Sequence, residues 1–221
     1  MGIEPKHQTK LTGVTGVILA GGRSSRMGSN KALLPYRGGL FIEAIHRRLA
    51  TLFPEVLLIT NTPEQYDFLP CRKAGDIYPD MGALAGLHSG LHHSATPHIF
   101  AVACDMPYLD DRLISYLVGQ RHKGDLVIPE GEAGFEPLHA VYAKSCLLHM
   151  EASLLAGRRR IVSFFDKVDM VSVSRSVTAA FDSGFRSFSN INTPDDYYAL
   201  RVAEQEACEW IVHRQRQCNR G

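Results

Sequence analysis

Two stretches of the chain carry residues whose types and spacing could do chemistry. The first is Leu19-Ala20-Gly21-Gly22-Arg23-Ser24-Ser25-Arg26-Met27-Gly28-Ser29-Asn30-Lys31. Gly21, Gly22 and Gly28 admit dihedrals and close approaches that a side chain forbids. A loop rich in backbone N–H groups can cradle phosphate oxygens. Arg26 and Lys31 add full positive charge where a triphosphate would lie. A glycine-rich surface turn with two solvated cations is the bland alternative. It fits a lone glycine pair better than this whole string at the end of an apolar run. Neither G-x-G-x-x-G nor G-x-x-x-x-G-K-[ST] occurs here, since Lys31 stands three residues after Gly28.

The second is Asp105, at the end of the apolar run HIFAVAC (98–104). A carboxylate buried at a strand end is costly unless something pairs with it. Magnesium is a natural partner, being hard, oxygen-seeking and usually held by one or two carboxylates together with substrate phosphates. The other reading of Asp105 is a cap for a helix starting near Leu109. Beside a phosphate-cradling loop, metal ligation is the stronger of the two.

These residues need a scaffold, and the hydrophobic pattern supplies one. VTGVILA (14–20), EVLLITN (55–61), HIFAVAC (98–104) and DLVIP (125–129) are short, nearly unbroken apolar runs. Helix-like periods occupy 40–52, 82–93, 110–122 and 145–156, with Asp110 or Asp111 as a cap for the third. Continuous apolar strands alternating with helices predict an α/β, Rossmann-like three-layer αβα sandwich on a mostly parallel sheet. Ligands of such sheets sit beyond the carboxyl ends of the strands, where both stretches lie. Residues 131–188 read as an irregular β insertion with a lid over the sheet edge. Residues 195–214 read as one long helix. The domain is expected over 13–200, between a disordered lead-in (1–12) and a helical extension (201–221).

The 221 residues carry 24 Lys plus Arg against 23 Asp plus Glu, so no global field draws the chain to nucleic acid or to an anionic membrane. No run is long and apolar enough for a membrane span, and the polar start lacks a secretory signal core. Five widely spaced cysteines without a Cys-x-x-Cys pair argue against a disulfide framework or zinc knuckle and suit a reducing cytoplasm.

Leu19 to Lys31 resembles the L-A-G-G-x-S-x-R-M-G-x-x-K signature of the molybdenum cofactor guanylyltransferases, within the nucleotidyltransferases that also make nucleotide sugars. The likeness continues in order. Asp76 to Gly86 resembles D-x-x-x-x-x-G-P-L-A-G, with Ala83 in place of Pro. Cys104-Asp105-Met106-Pro107-Tyr108 resembles C-D-x-P-[YF], and Glu136-Pro137-Leu138-His139-Ala140-Val141-Tyr142 resembles P-L-x-A-x-Y. Asn190-Ile191-Asn192-Thr193-Pro194-Asp195-Asp196 resembles the closing N-[IV]-N-T-P-[ED]-[ED].

The resemblance implies transfer of GMP from GTP to the terminal phosphate of molybdopterin, with release of pyrophosphate and with Mg2+ as cofactor. Lys31, Arg26 and Asp105 would be catalytic. The nucleotide and acceptor would contact Leu19, Ala20, Gly21, Gly22, Asn61, Asp76, Gly82, Gly86 and Asn190. Arg159 and Arg160 match an arginine pair facing the anionic pterin, although a solvated basic turn after Gly157 also explains them. Asn192 would join Asp105 on the metal, or else cap the helix that opens at Pro194, and the two roles could be split between Asn192 and Thr193. Asn61 and Asp76 also read as a turn residue and a loop aspartate. The resemblance further implies transient contact with molybdenum-insertion and molybdoenzyme-maturation proteins.

A cytidylyltransferase of the same fold is one rival, opposed by Gly21 where those relatives usually carry Ala. A nucleotidyltransferase with another phosphorylated acceptor is a second rival, and a non-catalytic nucleotide- or cofactor-binding adaptor a third. His88 and His92 share helical spacing but lack an adjacent glutamate, so they read as a solvated or interface face rather than a zinc pair. Cys104 reads as a small core residue rather than a nucleophile.

Overall fold

The computed structural model describes residues 10–21 and 30–202. Three apolar runs form the centre of the sheet as expected: β1 (Val14–Leu19), β4 (Val56–Ile59) and β6 (His98–Ala103). Every residue of β1 and β4 is buried. Both sheet faces are covered, which is why these strands are apolar without alternation. Ile18, Leu58, Phe100 and Val102 pack on one face, with α1 (Phe41–Leu52) and α3 (Asp111–Gly119). Val17, Leu19, Leu57, Ile59 and Ala101 pack on the other, with α2 (Ala83–His93) and α4 (Leu147–Leu155). Each such Val, Leu, Ile or Phe side chain contributes on the order of 2 kcal/mol by burial.

The seven-stranded sheet has the order β5-β4-β1-β6-β8-β7-β9, where β5 is Arg72–Ala74, β7 is Leu126–Pro129, β8 is His139–Ala143 and β9 is Met170–Val173. A two-residue pair, β2 (Pro35–Tyr36) and β3 (Gly39–Leu40), stands apart. From β1 the chain steps outward through β4 and β5, then returns to β1's other side with β6. That reversal places the topological switch point between β1 and β6.

Residues 131–188 correct the expectation of an irregular insertion and lid. β8 inserts between β6 and β7, antiparallel to both, and β9 extends the sheet in parallel beyond β7. β9 is only partly buried, and β8 opens on a histidine, so neither reads as a long apolar run. A further short helix, α5 (Arg175–Phe181), follows. The lead-in also ends earlier than residue 12, because the Leu11 N–H donates to Leu52 O at 2.8 Å. Asp110 is the cap of α3, accepting from the N–H groups of Arg112 and Leu113. Of the solvated or interface face expected for His88, the structure shows the interface. His88 is buried where α2 meets α4, edge-on to Tyr78, whose hydroxyl donates to Glu151. The tail is helical over 194–202, and its expected continuation lies outside the described residues.

Candidate active site

At the switch point the Cys104 N–H donates to Leu19 O, so the end of β6 is tied to the start of the glycine-rich loop. This tie sets Asp105 beside the loop's far end. Lys31 Nζ stands 4.0 Å from Asp105 Oδ2 and donates to Asn192 Oδ1 at 2.8 Å. The Lys31 and Asp105 side chains are only 14% and 19% exposed. Burial pushes the Asp105 carboxyl up, and the Lys31 ammonium partly opposes this. Two oxygen donors thus face one cationic centre. Burial also holds the Cys104 thiol up at about 12, which removes it as a nucleophile.

Local structure explains how these three groups meet. Asn30 accepts from the Ala32 N–H and caps the 3-10 turn Lys31–Leu33. Its amide also donates to Tyr66 Oη and Gln65 Oε1, tying the turn to the segment after β4. Asn30 was missed as a site residue, although a capping residue directly before Lys31 is a readable signal. On the far side, the Ile191 N–H donates to Asp105 O at 3.0 Å. Thr193 and Asp196 share the helix cap: Thr193 Oγ1 accepts from the Asp196 N–H, and Asp196 Oδ2 accepts from the N–H groups of Asn192 and Thr193. The Asn192 side chain is therefore left to Lys31.

A second group forms at the ends of β4 and β5. Asn61 and Asp76 bond reciprocally, Asn61 Nδ2 donating to Asp76 Oδ2 at 3.0 Å and the Asp76 N–H donating to Asn61 Oδ1 at 2.8 Å. The other oxygen, Asp76 Oδ1, is buried without a partner. A Cβ at Gly86 would stand 3.6 Å from that oxygen and from the Leu19 side chain, and one at Gly21 would stand 3.8 Å from Asp76 Oδ2. Burial, opposed by the Asn61 bond, raises the Asp76 carboxyl above the usual carboxylate range. Leu19, Gly21, Gly86, Asn61 and Asp76 therefore meet at one corner, where the two glycines bring backbone close to the Asp76 carboxylate. Ala20 continues the edge, its N–H donating to Ile59 O.

Gly82 begins α2 with φ 76°, and a Cβ there would stand 3.8 Å from Arg159 O. Arg159 is thereby set against the start of α2. Arg160 is exposed at the start of the following turn, and Asn190 is exposed between Phe188 and Ile191. Gly22 and Arg26 lie outside the described residues. Among the described residues no group of three or more His, Cys, Asp or Glu could hold a metal. The oxygen pair of Asp105 and Asn192 nevertheless fits magnesium, which takes few protein ligands and fills its shell with phosphate and water.

A mostly parallel αβα sheet thus gathers a cation, a carboxylate and a carboxamide at its switch point. Residues 16–171 match the MobA-like NTP transferase domain, and the chain belongs to that family. It is 36% identical over 186 residues to a probable molybdenum cofactor guanylyltransferase of Clostridium perfringens, covering 83% of this chain and 93% of that one. It is 35% identical over 196 residues to the molybdenum cofactor guanylyltransferase of Desulfosudis oleivorans, covering 87% and 96%. Among solved structures it resembles molybdopterin-guanine dinucleotide biosynthesis protein A of Archaeoglobus fulgidus, at TM-score 0.75 and 26% identity, covering 88% of this chain and 99% of that one.

Proposed function

We propose that this chain transfers GMP from GTP to the terminal phosphate of molybdopterin. An oxygen of the acceptor phosphate attacks the α-phosphorus, the bond from that phosphorus to the bridging oxygen breaks, and pyrophosphate leaves. The observation that carries this reading is the Lys31 ammonium held between Asn192 and Asp105 at the switch point.

The nucleophile is already an anion, so little general-base work is needed. Rate then comes from in-line positioning and neutralisation of charge on the triphosphate. Lys31 and Arg26, with the loop amides, bind the phosphates. Asp105 and Asn192 would hold Mg2+, which supplies charge stabilisation for the departing pyrophosphate. The Asn61–Asp76 corner takes the guanine. The Asp76 carboxylate, held by Asn61, is the acceptor there for the N–H groups on that base edge. Arg159 and Arg160 attract the anionic acceptor.

No helix among the described residues is long and apolar enough to cross a membrane. Cys71, Cys104 and Cys146 are free thiols, in keeping with a reducing cytoplasm where the product passes to molybdoenzyme-maturation proteins.

Pyrophosphate release measured with GTP, CTP or ATP, each with Mg2+ and purified molybdopterin, tests the reading. Turnover is expected with GTP. Preferential turnover with CTP overturns the base assignment while keeping the reaction. Nucleotide binding without pyrophosphate from any of the three overturns the enzyme in favour of an adaptor or another acceptor.

A further inference from the structure

The carboxyl edge of the sheet continues past Asp105, and one acidic side chain there has no assigned task. β8 runs antiparallel to β6 with Val102 paired to His139. Asp105 lies three residues beyond that pair along one strand, and Glu136 lies three residues before it along the other. Both therefore emerge from the same end of the β6–β8 ladder.

Glu136 is fixed through its backbone. Its N–H donates to Pro129 O and its carbonyl accepts from the His139 N–H. Its side chain lies over Gly131, so closely that a Cβ on Gly131 would stand 2.5 Å from Glu136 Oε1 and 3.0 Å from the Phe188 ring. The chain then runs from Phe188 through Asn190 to Ile191, whose N–H holds the Asp105 carbonyl. One short loop thus joins the surroundings of Glu136 to those of Asp105.

The half-buried Glu136 carboxylate makes no hydrogen bond or ion pair among the described residues, and burial pushes it up to about 7. An acid group desolvated in this way and left unpaired suits a ligand that supplies donors. The neighbouring Phe135 ring is 40% exposed and reaches Phe165, in the turn that follows Arg160.

We propose that Glu136 recognises the 2-amino-4-oxo-pyrimidine edge of the acceptor's pterin ring, its two oxygens accepting from the amino group and the adjacent ring N–H. That edge presents two parallel donors, which a carboxylate meets in bidentate fashion. The proposal rests on the reading of the chain as a molybdopterin guanylyltransferase. Guanine carries the same edge, so geometry must separate the two. The Asn61–Asp76 corner lies at β4 and β5 and Glu136 at β8, with β1 and β6 between. At the usual strand spacing, β4 and β8 are about 14 Å apart. One base cannot lie over both, and the reacting phosphates fall between them. Glu136 thus marks the acceptor's end of the site.

The test compares wild type with Glu136→Gln, an isosteric change that replaces one of the two acceptor oxygens by a donor. With GTP, Mg2+ and molybdopterin, KM for the acceptor is expected to rise at least tenfold while KM for GTP stays within twofold. Independently, pterin and lumazine, which carries oxygen in place of the 2-amino group, are titrated by their own fluorescence. Wild type is expected to bind pterin at least tenfold more tightly than lumazine, and Glu136→Gln to lose that preference. Gly131→Ala, whose Cβ displaces the carboxylate without removing it, is expected to move both readouts the same way. An unchanged acceptor KM, equal binding of the two pteridines by wild type, or a raised KM for GTP instead overturns the proposal. If wild type transfers no nucleotide to molybdopterin, the functional reading fails, and the pterin–lumazine comparison still decides the role of Glu136.

Discussion

The Lys31 ammonium donates to the Asn192 carboxamide at 2.8 Å and stands 4.0 Å from the Asp105 carboxylate, so one cation links the end of the glycine-rich loop, the end of β6 and the segment leading into the helix at 194–202. Losing one preorganised charge of this kind typically costs on the order of 3 kcal/mol of barrier. Lys31→Ala and Asp105→Ala are each expected to lower kcat/KM by roughly two to three orders of magnitude. Neither residue belongs to the apolar core, so melting temperatures should stay near wild type. Steady-state pyrophosphate release together with thermal melts checks both halves. A variant that keeps its turnover, or one that unfolds, removes the assigned role.

Asn192 donates no core contact and its helix cap is supplied by Thr193 and Asp196. Asn192→Ala should therefore leave folding intact and raise the Mg2+ concentration for half-maximal rate several-fold. A chelator should abolish turnover, and added Mg2+ should restore it. A magnesium curve that Asn192→Ala leaves in place excludes the carboxamide from the metal shell.

Asp76 keeps one carboxylate oxygen for Asn61 and buries the other without a partner. Asp76→Asn is expected to weaken GTP binding by about 1–3 kcal/mol, since a buried polar group left mismatched costs that much. Its preference for GTP over ATP should shrink in step, with kcat at saturation changing less. Isothermal titration with both nucleotides measures the difference. An equal loss for GTP and ATP would place Asp76 away from the base.

His139 is fully buried between the rings of Phe100 and Phe188, with both ring nitrogens unpartnered, and burial lowers its basicity to about 3. The unfolded chain takes up a proton as pH falls through the ordinary histidine value near 6.5, whereas the folded chain resists until about 3. Protonation thus favours unfolding, and stability is lost progressively across that window. At about 1.4 kcal/mol per pH unit, the loss reaches about 5 kcal/mol at most. His139→Leu should flatten the fall in denaturation midpoint between pH 6.5 and pH 4. Parallel slopes for variant and wild type would assign acid sensitivity to other groups.

Much of the fold was legible because burial on both faces demands apolar strands: β1, β4, β6 and β7 all stand where the runs predicted. The strands that escaped notice had physical reasons to do so. β5 is Arg-Lys-Ala on the sheet's outer edge, and β9 shows only one buried residue. The antiparallel seat of β8 depends on pairing with β6 and β7, a tertiary fact that no local pattern encodes. The site divides in the same way. Lys31 and Asp105 announce themselves through charge beside glycines and after an apolar run. The reciprocal Asn61–Asp76 bond, and the division of labour that frees Asn192 while Thr193 caps, exist only once distant segments meet.

The clasp on Lys31 and Asp105 has a consequence for the order in which the enzyme is made. Asn192 reaches Lys31 across 161 residues of chain, and Ile191 and Leu200 pack with Tyr36 and Phe41 beside the same turn. During translation the glycine-rich loop and Asp105 emerge well before the segment that braces them. At ordinary elongation rates the delay is roughly ten seconds. In that interval the strands can pair, but the turn bearing Lys31 has no carboxamide to hold it and the Asp105 carbonyl has no N–H from Ile191. With Lys31 and Asp105 in their proposed roles, activity is expected to arrive only once the helical segment 194–202 has docked.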